Sequence, residues 1–80
     1  MILKPISSEK AVKLIDIENT LLFEAPREMK KSDFKKEVEK IFEVKVKKVR
    51  TLIHGNKKYA YIKLKKEYPA IDIATKLGMI

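Results

Sequence analysis

Between Val44 and Lys66 the chain carries Lys45, Lys47, Lys48, Arg50, Lys57, Lys58, Lys63, Lys65 and Lys66 and not one carboxylate. Nine positive charges in so short a segment repel one another unless a polyanion supplies the countercharge, and nucleic-acid backbone is the polyanion such a run fits. A lysine-rich surface is often only a solvated face, but that kind of enrichment brings glutamate with it, and none is present here. Residues 1–43 hold nine basic and nine acidic residues, and residues 67–80 add one base and two acids, so the whole excess of +8 belongs to the middle segment. Tyr59 and Tyr61 are interleaved with its cations, and Thr51 adds a hydroxyl. Arg27, Lys30 and Lys31 form a second, weaker basic cluster.

Other chemistries lack their residues. A catalytic site needs a nucleophile beside a base, a carboxylate pair in a cleft, or metal ligands at a workable spacing. Cysteine is absent and His54, the one histidine, adjoins Gly55 in an expected turn with no second ligand nearby. The carboxylates are interleaved with lysines on helix faces, where pairing at i, i+4 is their ordinary use. Glycine occurs only at 55 and 78, which excludes a glycine-rich phosphate loop. The reading is a non-enzyme with no cofactor and no metal.

Eighty residues make a single domain, 1–80, and a chain of this size offers a working surface more readily than an enclosed pocket. The longest apolar run, Tyr59 to Ile62, is four residues, against about 18 for a membrane span, so no membrane insertion is expected and the protein reads as cytoplasmic.

The elements that must position the basic segment follow from periodicity. Ile2-Leu3-Lys4 before Pro5 predicts a very short strand. Ser7 or Ser8 suits the cap of a helix with Glu9 in its first turn and Ala11, Val12, Leu14 and Ile15 as its apolar stripe. Asn19-Thr20 breaks that helix, and Leu21 to Ala25 is a strand ended by Pro26. Ser32 is the expected cap of a second helix, with Phe34, Val38, Ile41 and Phe42 on one face. Val44 to Ile53 and Tyr59 to Leu64 read as a hairpin around a five-residue loop, His54 to Lys58. In the second of these strands Ala60, Ile62 and Leu64 alternate with Tyr59, Tyr61, Lys63 and Lys65, giving one covered face and one basic, aromatic, wet face. In the first, Val44 and Val46 are out of phase with Val49, Thr51 and Ile53, which predicts a bulge near Lys47-Lys48 or a strand starting near Val46. Pro69 opens a last helix with Ala70, Ile73, Ala74 and Leu77 on one face and Gly78 beyond its end. The expected architecture is α+β, a mainly antiparallel sheet of about four strands with helices packed on it, in the order β-α-β-α-β-β-α.

Four fragments then occur in order: Pro5-Ile6-Ser7-Ser8-Glu9-Lys10, Glu18-Asn19-Thr20-Leu21-Leu22-Phe23, Ile41 through Leu52, and Lys58 through Lys65. Together they resemble the large-subunit ribosomal protein twenty-three family, over nearly the whole chain. The family usually carries Asn where this chain has Arg50 and a second basic residue where it has Tyr59. Bacterial relatives insert a long basic extension between the last two strands; His54 to Lys58 is too short for it, so the likeness is to the archaeal type. The resemblance implies a structural protein that binds large-subunit rRNA near the exit of the nascent-peptide tunnel, beside other large-subunit ribosomal proteins. The implied rRNA contacts are Lys45, Lys47, Lys48, Arg50, Thr51, Lys57, Lys58 and Lys63, with Arg27, Lys30 and Lys31. It further implies that Ser8, Glu9 and Lys10 help dock the signal recognition particle and the protein-conducting channel.

A rival resemblance is to an RNA-recognition motif for single-stranded RNA, because Lys57 to Leu64 approximates its basic-aromatic strand. Lys58 stands where that motif has Gly, Leu64 where it has an aromatic, and little chain remains for its last helix and strand.

Overall fold

The computed structural model of the chain describes residues 3–78. Its elements are β1 (Lys4–Pro5), α1 (Glu9–Glu18), β2 (Thr20–Pro26), α2 (Lys31–Phe42), β3 (Val46–His54), β4 (Lys57–Leu64) and α3 (Ala70–Lys76), the expected order. The strands form one sheet, ordered β1-β2-β4-β3 and antiparallel at every contact. Ile2 of the expected first strand, and Met79 and Ile80, lie outside the described residues.

The core is a consequence of the two-residue period. Leu21, Phe23 and Ala25 of β2 and Ala60, Ile62 and Leu64 of β4 are buried and share one side of the sheet, with Leu21 opposite Ile62 and Phe23 opposite Ala60. The same hydrophobic cluster takes in Ile15 from α1, Phe34 and Val38 from α2, and Ala70, Ile73 and Ala74 from α3. The helices therefore cover one face and leave the other bare, an arrangement an antiparallel sheet tolerates. Phe42 stacks on Phe23 with ring centroids 6.4 Å apart. Ile41, expected on the same apolar face of α2, is instead 41% exposed.

Local capping explains where the elements start. Ser8 caps α1, its hydroxyl accepting from the Ala11 N–H at 3.1 Å. Ser32 does not cap α2. That helix starts at Lys31, with Lys30 in the cap position two residues before Ser32, and the Asp33 carboxylate reaches back to accept from the Lys30 N–H at 3.0 Å. A carboxylate in the first turn satisfies a free amide and the helix dipole together. The hairpin is also tighter than its composition indicates: His54 and Lys57 pair across a two-residue turn, Gly55-Asn56, in place of a five-residue loop. Gly55 has φ +65° and Asn56 does not share the positive φ, the pattern of a type II′ turn, whose twist matches its flanking strands. Both readings of the irregularity in β3 hold, since the strand starts at Val46 and its register shifts between Val46 and Lys48.

Asn19 ties the layers together. It ends α1 in the left-handed conformation, φ 53°, which Asn tolerates better than most residues. Its side-chain amide donates to the carbonyls of Leu64, Lys65 and Tyr68 at 3.1–3.3 Å, and its carbonyl oxygen accepts from the Ala70 N–H at 2.6 Å. One side chain thus holds the end of β4, the turn after it and the start of α3 against the α1–β2 junction. Asn19→Ala is expected to lose about 3 kcal/mol, read as a lower urea midpoint. Asn19→Gly should recover only the backbone part of that, about 1 kcal/mol. A loss under about 1 kcal/mol for the alanine variant would show that the network is dispensable.

Candidate nucleic-acid interface

The bare face collects side chains from four strands. β3 contributes Lys48, Arg50, Leu52 and His54, which stand opposite Lys63, Tyr61, Tyr59 and Lys57 of β4. β2 adds Thr20, Leu22 and Glu24, and Lys4 of β1 pairs with Glu24. Among these strand residues Glu24 is the one carboxylate, and it is already engaged: its Oε1 lies 3.1 Å from Lys57 Nζ. Arg50 lies over the ring of Tyr61, its guanidinium carbon 5.5 Å from the ring centroid, so the cation and the aromatic attract each other. Lys48 directly faces Lys63, a like-charge cross-strand pair that works against the fold. From Lys57 to Lys63 the stripe runs about 20 Å at the usual rise per residue.

The structure separates the basic residues that sequence reading treated as one group. Lys48, Arg50, Lys57 and Lys63 share the bare face. Lys45 and Lys47 are exposed at its end, Lys47 as the extra residue of the bulge. Thr51 and Lys58 fall on the helix side. Thr51 is half-buried opposite Ala60, so its hydroxyl is removed from the cations. Lys58 donates from Nζ to the Met29 carbonyl at 2.6 Å, pinning the loop that carries Arg27 and Lys30 to the base of the hairpin. Arg27, Lys30 and Lys31 are exposed at the turn end of the sheet, where Pro26 pairs with Lys57. Ser8, Glu9 and Lys10 are exposed at the start of α1, with the Ser8 hydroxyl committed to its cap. Lys4 was missed by the charge count, because only strand pairing brings it beside Glu24. Glu18 was likewise unmarked, and it borders the bare face at the end of α1.

The Lys57–Glu24 pair changes the electrostatics of the face at one point. The hydrogen bond to Glu24, and then its charge, hold the Lys57 ammonium above the ordinary lysine value of 10.5, with the charge of the nearby Tyr59 phenolate at high pH adding in the same sense and desolvation opposing. Because the folded value is raised, the contribution of the pair is complete below the ordinary lysine value and fades as pH climbs through the folded one. In an NMR titration of the lysine ammonium groups, Lys57 is expected to lose its proton at higher pH than in the Glu24→Gln variant. Identical titration of Lys57 in the two proteins would mean that the pair does not form in solution.

No helix among the described residues is long and apolar enough to cross a membrane. Nor does a strand follow α3 among them. A family model described as ribosomal protein L23 matches residues 1–70, which takes in every strand, α1, α2 and the first residue of α3. The match spans most of the 80-residue chain, and with it the bare basic face and the start of α1. The chain belongs to the ribosomal protein L23 family and is a structural protein of the large ribosomal subunit, acting in translation.

Proposed function

We propose that the protein binds large-subunit rRNA near the exit of the nascent-peptide tunnel, through the bare face of its sheet. Lys45, Lys47, Lys48, Arg50, Lys57 and Lys63 neutralise backbone phosphates there, and Arg27, Lys30 and Lys31 extend the contact around the turn end. The observation that carries this reading is a sheet face whose strands bring one carboxylate, Glu24, itself paired, against Lys4, Lys48, Arg50, Lys57 and Lys63, with Glu18 of α1 at its border. Folded RNA is recognised mainly by its shape and phosphates, which suits a broad surface whose cations are spread along two paired strands. Thr51 and Lys58 fall away from this contact set, since they sit on the helix side.

The two-residue turn Gly55-Asn56 supports the archaeal type, because no extension leaves the hairpin. Glu9, exposed in the first turn of α1 and flanked by Ser8 and Lys10, is the proposed docking point for the signal recognition particle and the protein-conducting channel. The cytoplasm follows from that assignment as the place of work. A single-stranded RNA mode has one observation in its favour, that Tyr59 and Tyr61 both lie on the bare face.

Co-sedimentation with large subunits in a gradient at moderate salt tests the proposal, and protein that stays at the top of the gradient would end it. On a fragment of large-subunit rRNA, Lys47→Gln and Lys48→Gln should each lower the slope of log affinity against log salt by about one unit. Tyr59→Ala with Tyr61→Ala should leave unstructured RNA binding nearly unchanged. A loss of about 1–3 kcal/mol per ring would instead favour base stacking.

A further inference from the structure

We infer that Lys48, Arg50 and Lys63 form a single cup for one backbone phosphate, the anchor point of the bare face rather than three separate contacts. The inference rests on the proposed RNA-binding reading and adds where on that face the polyanion is gripped. A hollow of about 180 Å³ is lined by Glu18, Thr20, Lys48, Arg50, Tyr61 and Lys63. Three of the six are cations and one is an acid, so the hollow carries an excess of two positive charges.

Three features aim that charge inward. Lys48 and Lys63 are cross-strand partners, so their side chains rise from adjacent points on the same face at a spacing of about 5 Å. Arg50 is held over the Tyr61 ring at 5.5 Å, which leaves the guanidinium edge to donate in a fixed plane, the geometry suited to two oxygens of one phosphate. Thr20 lies at the floor, only 1% exposed, its hydroxyl donating to the Glu18 carbonyl at 3.0 Å, so the floor is rigid. The rest of the basic stripe is differently built. Lys57 is neutralised by Glu24, and Lys45 lies outside the hollow.

A cup of this kind predicts opposite effects of its lysines on binding and on stability. Removing one member of a like-charge pair relieves repulsion in the free protein, so Lys48→Gln and Lys63→Gln should each raise the melting temperature by about 1–5 °C at low salt. Adding dimethyl phosphate to the wild-type protein, followed by NMR, should shift resonances of residues 48, 50, 61 and 63 saturably. Each of the two variants should weaken that binding about tenfold, as expected for a lost charge-assisted hydrogen bond. Lys36→Gln, on the exposed side of α2, should leave it unchanged.

Shifts spread evenly over all lysines, without saturation, would overturn the cup. Saturation by inorganic phosphate but not by the diester would also overturn it, since the hollow would then suit a terminal phosphate and not a backbone. The RNA reading is tested apart: wild-type protein that binds the diester in the cup but fails to bind the rRNA fragment would sink that reading and leave the cup standing. The converse, rRNA binding with a salt slope equal in wild type and in the Lys48→Gln, Lys63→Gln double variant, would sink the cup and remove both lysines from the contact set while RNA binding itself stands.

Discussion

Strand β4 is paired on both sides, and its two-residue alternation is the constraint on which both the core and the working surface depend. Ala60, Ile62 and Leu64 fill the core while Tyr59, Tyr61 and Lys63 rise from the other side. A slip of one residue would exchange the two sets, placing an ammonium among Phe23, Phe34 and Val38 and three apolar side chains in water. The hydrophobic face thus specifies the register, and the register alone decides which cations are neighbours. The proposed contact surface is a by-product of the same pairing that makes the protein fold.

The charges on the bare face are not equivalent, although the sequence writes them in one unbroken run. Screening in physiological salt acts over about 8 Å, so Lys48, Lys63 and Arg50 feel one another while Lys57, about 20 Å away along the strand, is largely independent of them. Lys57 has its own counterion in Glu24, and Lys58 is committed to the Met29 carbonyl. What remains unneutralised is concentrated at the end of the sheet where β2 begins and β4 ends. That concentration opposes folding, and proteins of about this size have stability of only about 5–15 kcal/mol to spend against it. The repulsion is modest when spread over an exposed face, and the proposed RNA contact would reverse its sign.

Much of this was legible in the sequence, because alternation and helical spacing are local properties. The element order, the covered face of β4, the Ser8 cap, the irregularity at Lys47-Lys48 and Gly78 beyond α3, at φ +73°, all follow from neighbouring residues. What could not be read depends on partners distant in the chain. Lys4 joins the face only because β1 pairs with β2. Asn19 read as a helix breaker, and its four bonds to residues 45 to 51 positions away carry no local signature. The cap of α2 was misplaced because Ser32 is the stronger capping residue by type, whereas the Asp33 carboxylate stabilises a cap two residues earlier, at Lys30.

The bulge shows how a regular sheet was made to carry an additional cation. Val46 lies in the core opposite Leu64, and Lys48, facing Lys63, lies on the bare side. Strict alternation over Val46, Lys47 and Lys48 would put Lys48 back on the core side and leave Val49 in water. By taking Lys47 as an unpaired extra residue, the strand keeps Val46 and Val49 on the helix side and sends both lysines outward. The break in pairing is compensated nearby: the Val46 N–H donates to the Glu39 carboxylate of α2 at 2.8 Å, and the Lys65 N–H donates to the Lys45 carbonyl at 3.0 Å. Bulges also twist an edge away from flat pairing, and β3 is an edge strand. A single inserted residue therefore raises the charge beside the hollow, preserves the core phase, and makes the exposed edge a poor template for another strand, which leaves the face of the sheet, not its edge, as the surface offered to a partner.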